Sequence, residues 1–178
     1  VNTTSCTWRN SALSVTITAA DTGGSGLSSS NSYQWYLSTS STSLTTGSWT
    51  GDTWTTYTSG TAFNINPGKD GTYYLFVKRV NDVAGNISTS NGTDQAISST
   101  TYHRYGPYKF DYTAPTLTVT PESGDWAQSH TVTIKLQDTL SGLSVAVMQY
   151  GWSTSNTEEP TEWTTITADN LQSATTEI

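Results

Sequence analysis

The chain carries one pattern twice, and that duplication restricts the fold more than any other feature. Val132-Thr133-Ile134-Lys135-Leu136-Gln137-Asp138-Thr139-Leu140-Ser141-Gly142-Leu143 lies over Val15 to Leu27, sharing Val-Thr-Ile, an Asp-Thr pair and Ser-Gly-Leu. Gln149 to Ser155 lies over Gln34 to Ser40, and Trp163 to Thr167 over Trp54 to Thr58. The copies stand about 110 to 117 residues apart, the length of one β-sandwich module. Two all-β modules in tandem are therefore expected, over 1–112 and 113–178.

Within the first copy the side chains alternate at the period of a strand. Leu13, Val15 and Ile17 share one face of the first run; Tyr33, Trp35 and Leu37 share one face of the next. Thr53–Thr58 and Thr61–Ile65 are expected as two short strands broken by Ser59-Gly60, and Tyr102–Pro115 as a last strand running into a short, proline-fixed linker. Gly71–Asn86 reads as a strand feeding a turn at Gly85-Asn86, with Tyr73, Leu75 and Val77 on one face and Tyr74, Phe76 and Lys78 on the other. The core is expected from Leu13, Val15, Ile17, Tyr33, Trp35, Phe63, Ile65, Tyr73, Leu75 and Val77, with Ser14, Thr16 and Lys78 outside. Tyr73 opens its strand, the position from which a hydroxyl bonds back to the preceding loop.

The second copy is expected to be shorter. Its counterpart of Thr61–Ile65 falls at about Ser173–Ile178, and nothing matches Tyr73–Val80 or the strand after it. The first copy is expected to lack the opening strand that Thr116–Thr120 gives the second. Two explanations stay open: a piece of a longer array, or strands donated head to tail by a neighbouring molecule.

Charge narrows the partners. Seven Lys and Arg against fourteen Asp and Glu give a net charge of −7, which repels nucleic acid and anionic membrane surfaces. No apolar run has transmembrane length, so membrane insertion is not expected, and the absence of a leader-like start fits a piece of a longer secreted chain. Cys6 is the one cysteine, so an intrachain disulfide is excluded. His103 and His130 lie in different copies, and no nucleophile, zinc or phosphate-loop motif occurs, so no enzyme is expected.

Two sets of residues are candidates for binding. The loop at Asp21 and the turn at Asp82–Asn86 would meet at one pole of a sandwich, and Asp138 would sit near Asp111 in the second copy. Asp21, Asp82, Asn86, Asp111 and Asp138 are hard oxygen donors of the type that suits Ca²⁺, the one cofactor the sequence suggests. The competing reading is that each caps its own turn. Tyr36, Trp49, Trp54, Tyr105 and Tyr108 exceed what one small core needs and would form a sugar-stacking row if exposed. Cross-strand aromatic pairing is the alternative.

Asp-x-x-Ser-Gly-Leu at Asp138–Leu143, Gly-Thr-Tyr-Tyr-Leu at Gly71–Leu75, Asp-x-Ala-Gly-Asn at Asp82–Asn86 and Asp-x-Thr-Ala-Pro at Asp111–Pro115 follow one another in order. In these motifs the chain resembles the bacterial immunoglobulin-like repeats of long secreted and cell-surface proteins. The resemblance implies tandem immunoglobulin-like β-sandwiches outside the cell, acting as spacers, adhesive or filament-assembly arms, or accessory modules. It implies neighbouring repeats as partners and no single ligand; beside it, head-to-tail self-assembly and a glycan or host surface protein are the partner classes expected.

Overall fold

Every regular element among the described residues is a strand. The structure is a computed structural model that describes residues 7–44, 53–89, 102–126, 128–144, 148–169 and 172–178. Among these there is no helix. The chain divides into two compact units, Val1–Tyr112 and Thr113–Ile178.

The first unit contains β1 (Trp8–Arg9), β2 (Leu13–Thr16), β3 (Gln34–Ser38), β4 (Thr55–Thr56), β5 (Ala62–Ile65), β6 (Gly71–Lys78) and β7 (Tyr102–Phe110). One sheet runs β1-β7-β6-β3-β4 and the other pairs β2 with β5. A strand at the start of the first copy is therefore present, but it lies parallel to β7 rather than beside β2. A single buried cluster draws Val15, Ile17 and Ile65 from the small sheet's side and Trp35, Leu37, Leu75, Val77, Tyr108 and Phe110 from the large sheet. Apolar faces turned towards each other across two sheets are consistent with a β-sandwich. Trp35 stacks on Phe63 with ring centroids 5.1 Å apart. Of the expected core, Leu13, Tyr33 and Phe63 are only partly buried and pack against this cluster. Ser14 and Thr16 are exposed, while Lys78 is half-buried.

The Tyr73 hydroxyl donates to the Lys69 carbonyl at 3.0 Å, tying the loop before β6 to its first turn of strand. Across from it the two strands fall out of step. Tyr73 faces Tyr108 and Leu75 faces Tyr105, so Tyr74 alone opposes the pair Gly106-Pro107. This is a β-bulge, and it turns Tyr105 and Tyr108 to the same face although they stand three apart. Gly106 adopts φ +121°, and a Cβ there would stand 2.9 Å from the Tyr73 carbonyl oxygen, so only glycine fits. Pro107, which has no N–H, is tolerated where the ladder is interrupted.

The second unit contains β8 (Thr116–Thr120), β9 (Thr133–Gln137), β10 (Gln149–Tyr150), β11 (Thr164–Thr165) and β12 (Ser173–Glu177), in sheets β12-β9-β8 and β10-β11. The β10–β11 pairing repeats the β3–β4 pairing in register, while β9, unlike β2, is flanked on both sides. Trp35 faces Thr55 as Tyr150 faces Thr164, and Gln34 faces Thr56 as Gln149 faces Thr165. The Tyr57 N–H donates to the Tyr33 carbonyl at 2.9 Å as Ile166 does to Met148 at 2.8 Å. The buried cluster here is smaller: Ile134, Met148, Ile166 and Ala174.

The tyrosines of the first unit set its behaviour in alkali. Burial pushes the phenols of Tyr57 and Tyr108 up to about 12, helped at Tyr57 by Tyr33 and Tyr105 and at Tyr108 by Tyr105. An unfolded tyrosine ionises near 10, so between those values the unfolded chain releases protons that the folded one keeps. Stability should therefore be lost as pH rises from 10 to 12, by at most about 1.4 kcal/mol per pH unit for each such tyrosine. Phenolate absorbance should rise in two phases, the later one coinciding with unfolding; one phase near pH 10 would contradict the buried placement.

Candidate functional site

The loop after β2 and the turn after β6 meet at one end of the first unit, as the sequence suggested. Leu27 bridges to Asp82, the Val83 N–H donates to the Gly26 carbonyl at 2.9 Å, and Ser28 N–H donates to the Asn81 carbonyl at 2.9 Å. The Asn31 side chain doubles this join: its Nδ2 donates to the Asn81 carbonyl and its Oδ1 accepts from the Asn81 N–H, both at 2.8 Å. Asp21 and Asp82 thereby share one neighbour, the Ser25 hydroxyl, which lies 3.2 Å from Asp21 Oδ2 and also hydrogen-bonds Asp82.

The carboxylates nonetheless face inward on their own turns. Asp21 Oδ1 accepts from the Gly23 N–H at 2.7 Å. Asp82 accepts from the Asn86 N–H at 2.7 Å and from Asn86 Nδ2 at 2.6 Å. These bonds, the Asn86 side chain's first, hold the Asp82 carboxyl below the usual carboxylate range. Asn86 thus presents its amide nitrogen as a donor, the wrong end for a cation. Asp138 repeats the Asp21 cap in the second unit: its Oδ1 accepts from Leu140 N–H at 2.9 Å and Gly142 N–H at 2.8 Å, with the residue buried. Asp111 is buried in the first unit, its N–H donating to the Arg9 carbonyl at 2.9 Å. Asp111 and Asp138 belong to different units. Among the described residues no three acidic, His or Cys side chains gather closely enough to hold a metal.

Asp138→Ala should leave two loop N–H groups without their acceptor and cost about 1–3 kcal/mol. Melting of the parent chain should be the same in EDTA and in calcium. A calcium-dependent rise that Asp138→Ala or Asp82→Ala abolishes would show ligation instead of capping.

The second candidate is the face of the large sheet turned away from the core. The register Tyr36–Phe76–Arg104 and the pair Lys78–Tyr102 put these side chains on one side. Trp54 completes the group, its ring 5.7 Å from both Tyr36 and Tyr102, while Tyr102 meets Phe76 edge-on at 6.0 Å. Lys78 Nζ lies 4.9 Å from the Trp54 ring centre and donates to Gln34 Oε1 at 2.7 Å. Arg104 lies over Tyr74 at 5.4 Å and donates to the Ser41 carbonyl. Tyr36 is 4% exposed and Phe76 fully buried, so this face carries a small second core that binds β4, β3, β6 and β7 together.

Four of the proposed sugar-stacking residues can be placed. Tyr36 lies buried inside that outer cluster, and Trp54 is half-buried at its margin. Tyr108 is 2% exposed and Tyr105 packs against the main core, because the bulge at Gly106-Pro107 brings both rings inward. Tyr36 and Tyr108 therefore offer no open ring face. Trp49 and Cys6 lie outside the described residues. Sequence reasoning passed over Tyr102 and Arg104 as members of the outer face, although the alternation that placed Tyr74, Phe76 and Lys78 there extends to β7. It also missed that, among the described residues, the most open large aromatics, Trp126, Trp152 and Trp163, belong to the second unit.

No family model, curated protein or solved structure matches the chain.

Proposed function

We propose that the chain is a non-catalytic structural segment: tandem immunoglobulin-like sandwich modules serving outside the cell as spacer or assembly arms of a surface or filament protein. The observation that supports this most is the repetition of one strand-pairing scheme with the same caps and turns in both units. Repetition of a self-contained module extends a chain without requiring a new active centre. The buried aromatics serve cohesion, and the acidic groups at the pole serve turn geometry. Neighbouring modules are the natural partners, and head-to-tail association is the form that self-assembly would take.

A second reading has one feature in its favour. Trp54, with Lys78 and Gln34 beside it on an outward face, has the composition of a sugar subsite, an aromatic plane flanked by polar groups. Titration of tryptophan fluorescence with soluble polysaccharides, together with a screen against glycans and host matrix proteins, separates the two. The spacer reading predicts no saturable response. A saturating shift abolished by Trp54→Ala would replace it with a carbohydrate-binding module.

A further inference from the structure

Equivalent strands meet different surroundings in the two units. In the first, β3 lies between β4 and β6, with Leu37 facing Leu75 and fully buried. In the second, β10 pairs with β11 in the register of β3 with β4, and among the described residues no strand lies along its other side. The Met148 carbonyl accepts from Ile166 on the β11 side. Backbone groups alternate along a strand, so the N–H and C=O of Gln149 and Gly151 point to the opposite edge. A side chain there is open as well. Trp152, which overlays Leu37, is 66% exposed. Unpaired backbone beside an uncovered apolar side chain is a template for strand addition.

We propose that this edge of β10 is a docking site for a strand of β6 chemistry, reached through β12 and pairing antiparallel with β10. The first unit shows what such a strand supplies: Tyr73, Leu75 and Val77, all buried. In the β6 register its Leu75 equivalent would cover Trp152 and its Val77 equivalent would meet Tyr150. The route is set too. β5 leads into β6 through residues 66–70, and β12 holds the place of β5, pairing with β9 as β5 pairs with β2. A second copy of the chain does not supply the strand in its folded form, because its own Leu75 and Phe76 are fully buried. This inference rests on reading both units as one repeated module.

The test extends the full chain after Ile178 with a copy of residues 64–112 and follows amide exchange. The Gln149 and Gly151 amides should exchange at least about tenfold more slowly than in the unextended chain, with a blue shift in tryptophan emission. Asp at the copied Leu75 and Val77 positions should abolish both effects. Unchanged exchange in a folded, extended chain would overturn the proposal. So would equal protection of the unextended chain on raising its concentration, which would identify a second copy as the occupant. Neither result would move the spacer reading, which stands or falls on the binding screen.

Discussion

Trp35→Ala is expected to unfold the first unit or leave it barely stable. Trp35 is 4% exposed, held in β3 between β4 and β6, and stacked on Phe63 at the boundary with the small sheet. Removing a buried tryptophan costs about 3–5 kcal/mol, against total stabilities of about 5–15 kcal/mol for a domain. The melting midpoint of the first unit should fall by roughly 15 °C or more. Its counterpart Tyr150 is only half-buried, so Tyr150→Ala should cost about 1–2 kcal/mol in the second unit. Thermal melts of both variants, followed by circular dichroism, check the contrast. A Trp35→Ala midpoint within a degree or two of the parent would mean that the core is not built around this residue.

Gly106→Ala is expected to be nearly as damaging, for a backbone reason. At φ +121° an L side chain is strained, and the new Cβ would meet the Tyr73 carbonyl oxygen at 2.9 Å and the Tyr108 nitrogen at 3.3 Å. Both neighbours are main chain and cannot swing aside, so β6 and β7 must part locally at a cost of about 2–4 kcal/mol. Gly60→Ala is the control. Gly60 also has positive φ, +78°, but nothing lies within 4 Å of its Cβ position, so strain alone applies, about 1 kcal/mol. The two variants differ in a second readout: opening the bulge exposes Tyr108, so Gly106→Ala should return its phenol towards 10 while Gly60→Ala leaves it near 12. Equal destabilisation by the two would show that the close contact at Gly106 does not matter.

Period-two alternation and internal repetition made much of this molecule legible in advance. Trp35, Leu75 and Val77 could be assigned to the core because strand geometry sends every second residue to one face, and in β6 nothing interrupts the count. The overlay of Gln149–Ser155 on Gln34–Ser40 anticipated the β10–β11 register because equivalent residues took equivalent partners. In β7 the same method misplaced Tyr105 and Tyr108. A bulge changes parity, and Gly106-Pro107 marks it in the sequence only when a Gly-Pro pair inside a strand is read as an interruption. Tyr36 failed differently. Alternation correctly put it on the outward face, but that face has its own cover in Trp54, Tyr102 and Lys78, which strand parity alone does not reveal. The acids at the pole were correctly brought together, since Leu27 and Asp82 do bridge. Whether their oxygens face an ion or their own backbone depends on turn conformation, which the spacing of Asp, Gly and Asn leaves open.

The central claim is that one module plan is present twice, with the β3 edge covered by β6 in the first unit and the matching β10 edge without a partner strand among the described residues of the second. Residue-resolved amide exchange on the 178-residue chain tests it most directly. The Tyr36 amide, which faces β6, should be among the slowest to exchange, and Gly151, its counterpart, should exchange near the rate of an unpaired strand edge. Equal, strong protection at Tyr36 and Gly151 in the monomer would contradict the account, because β10 would then have a partner strand already.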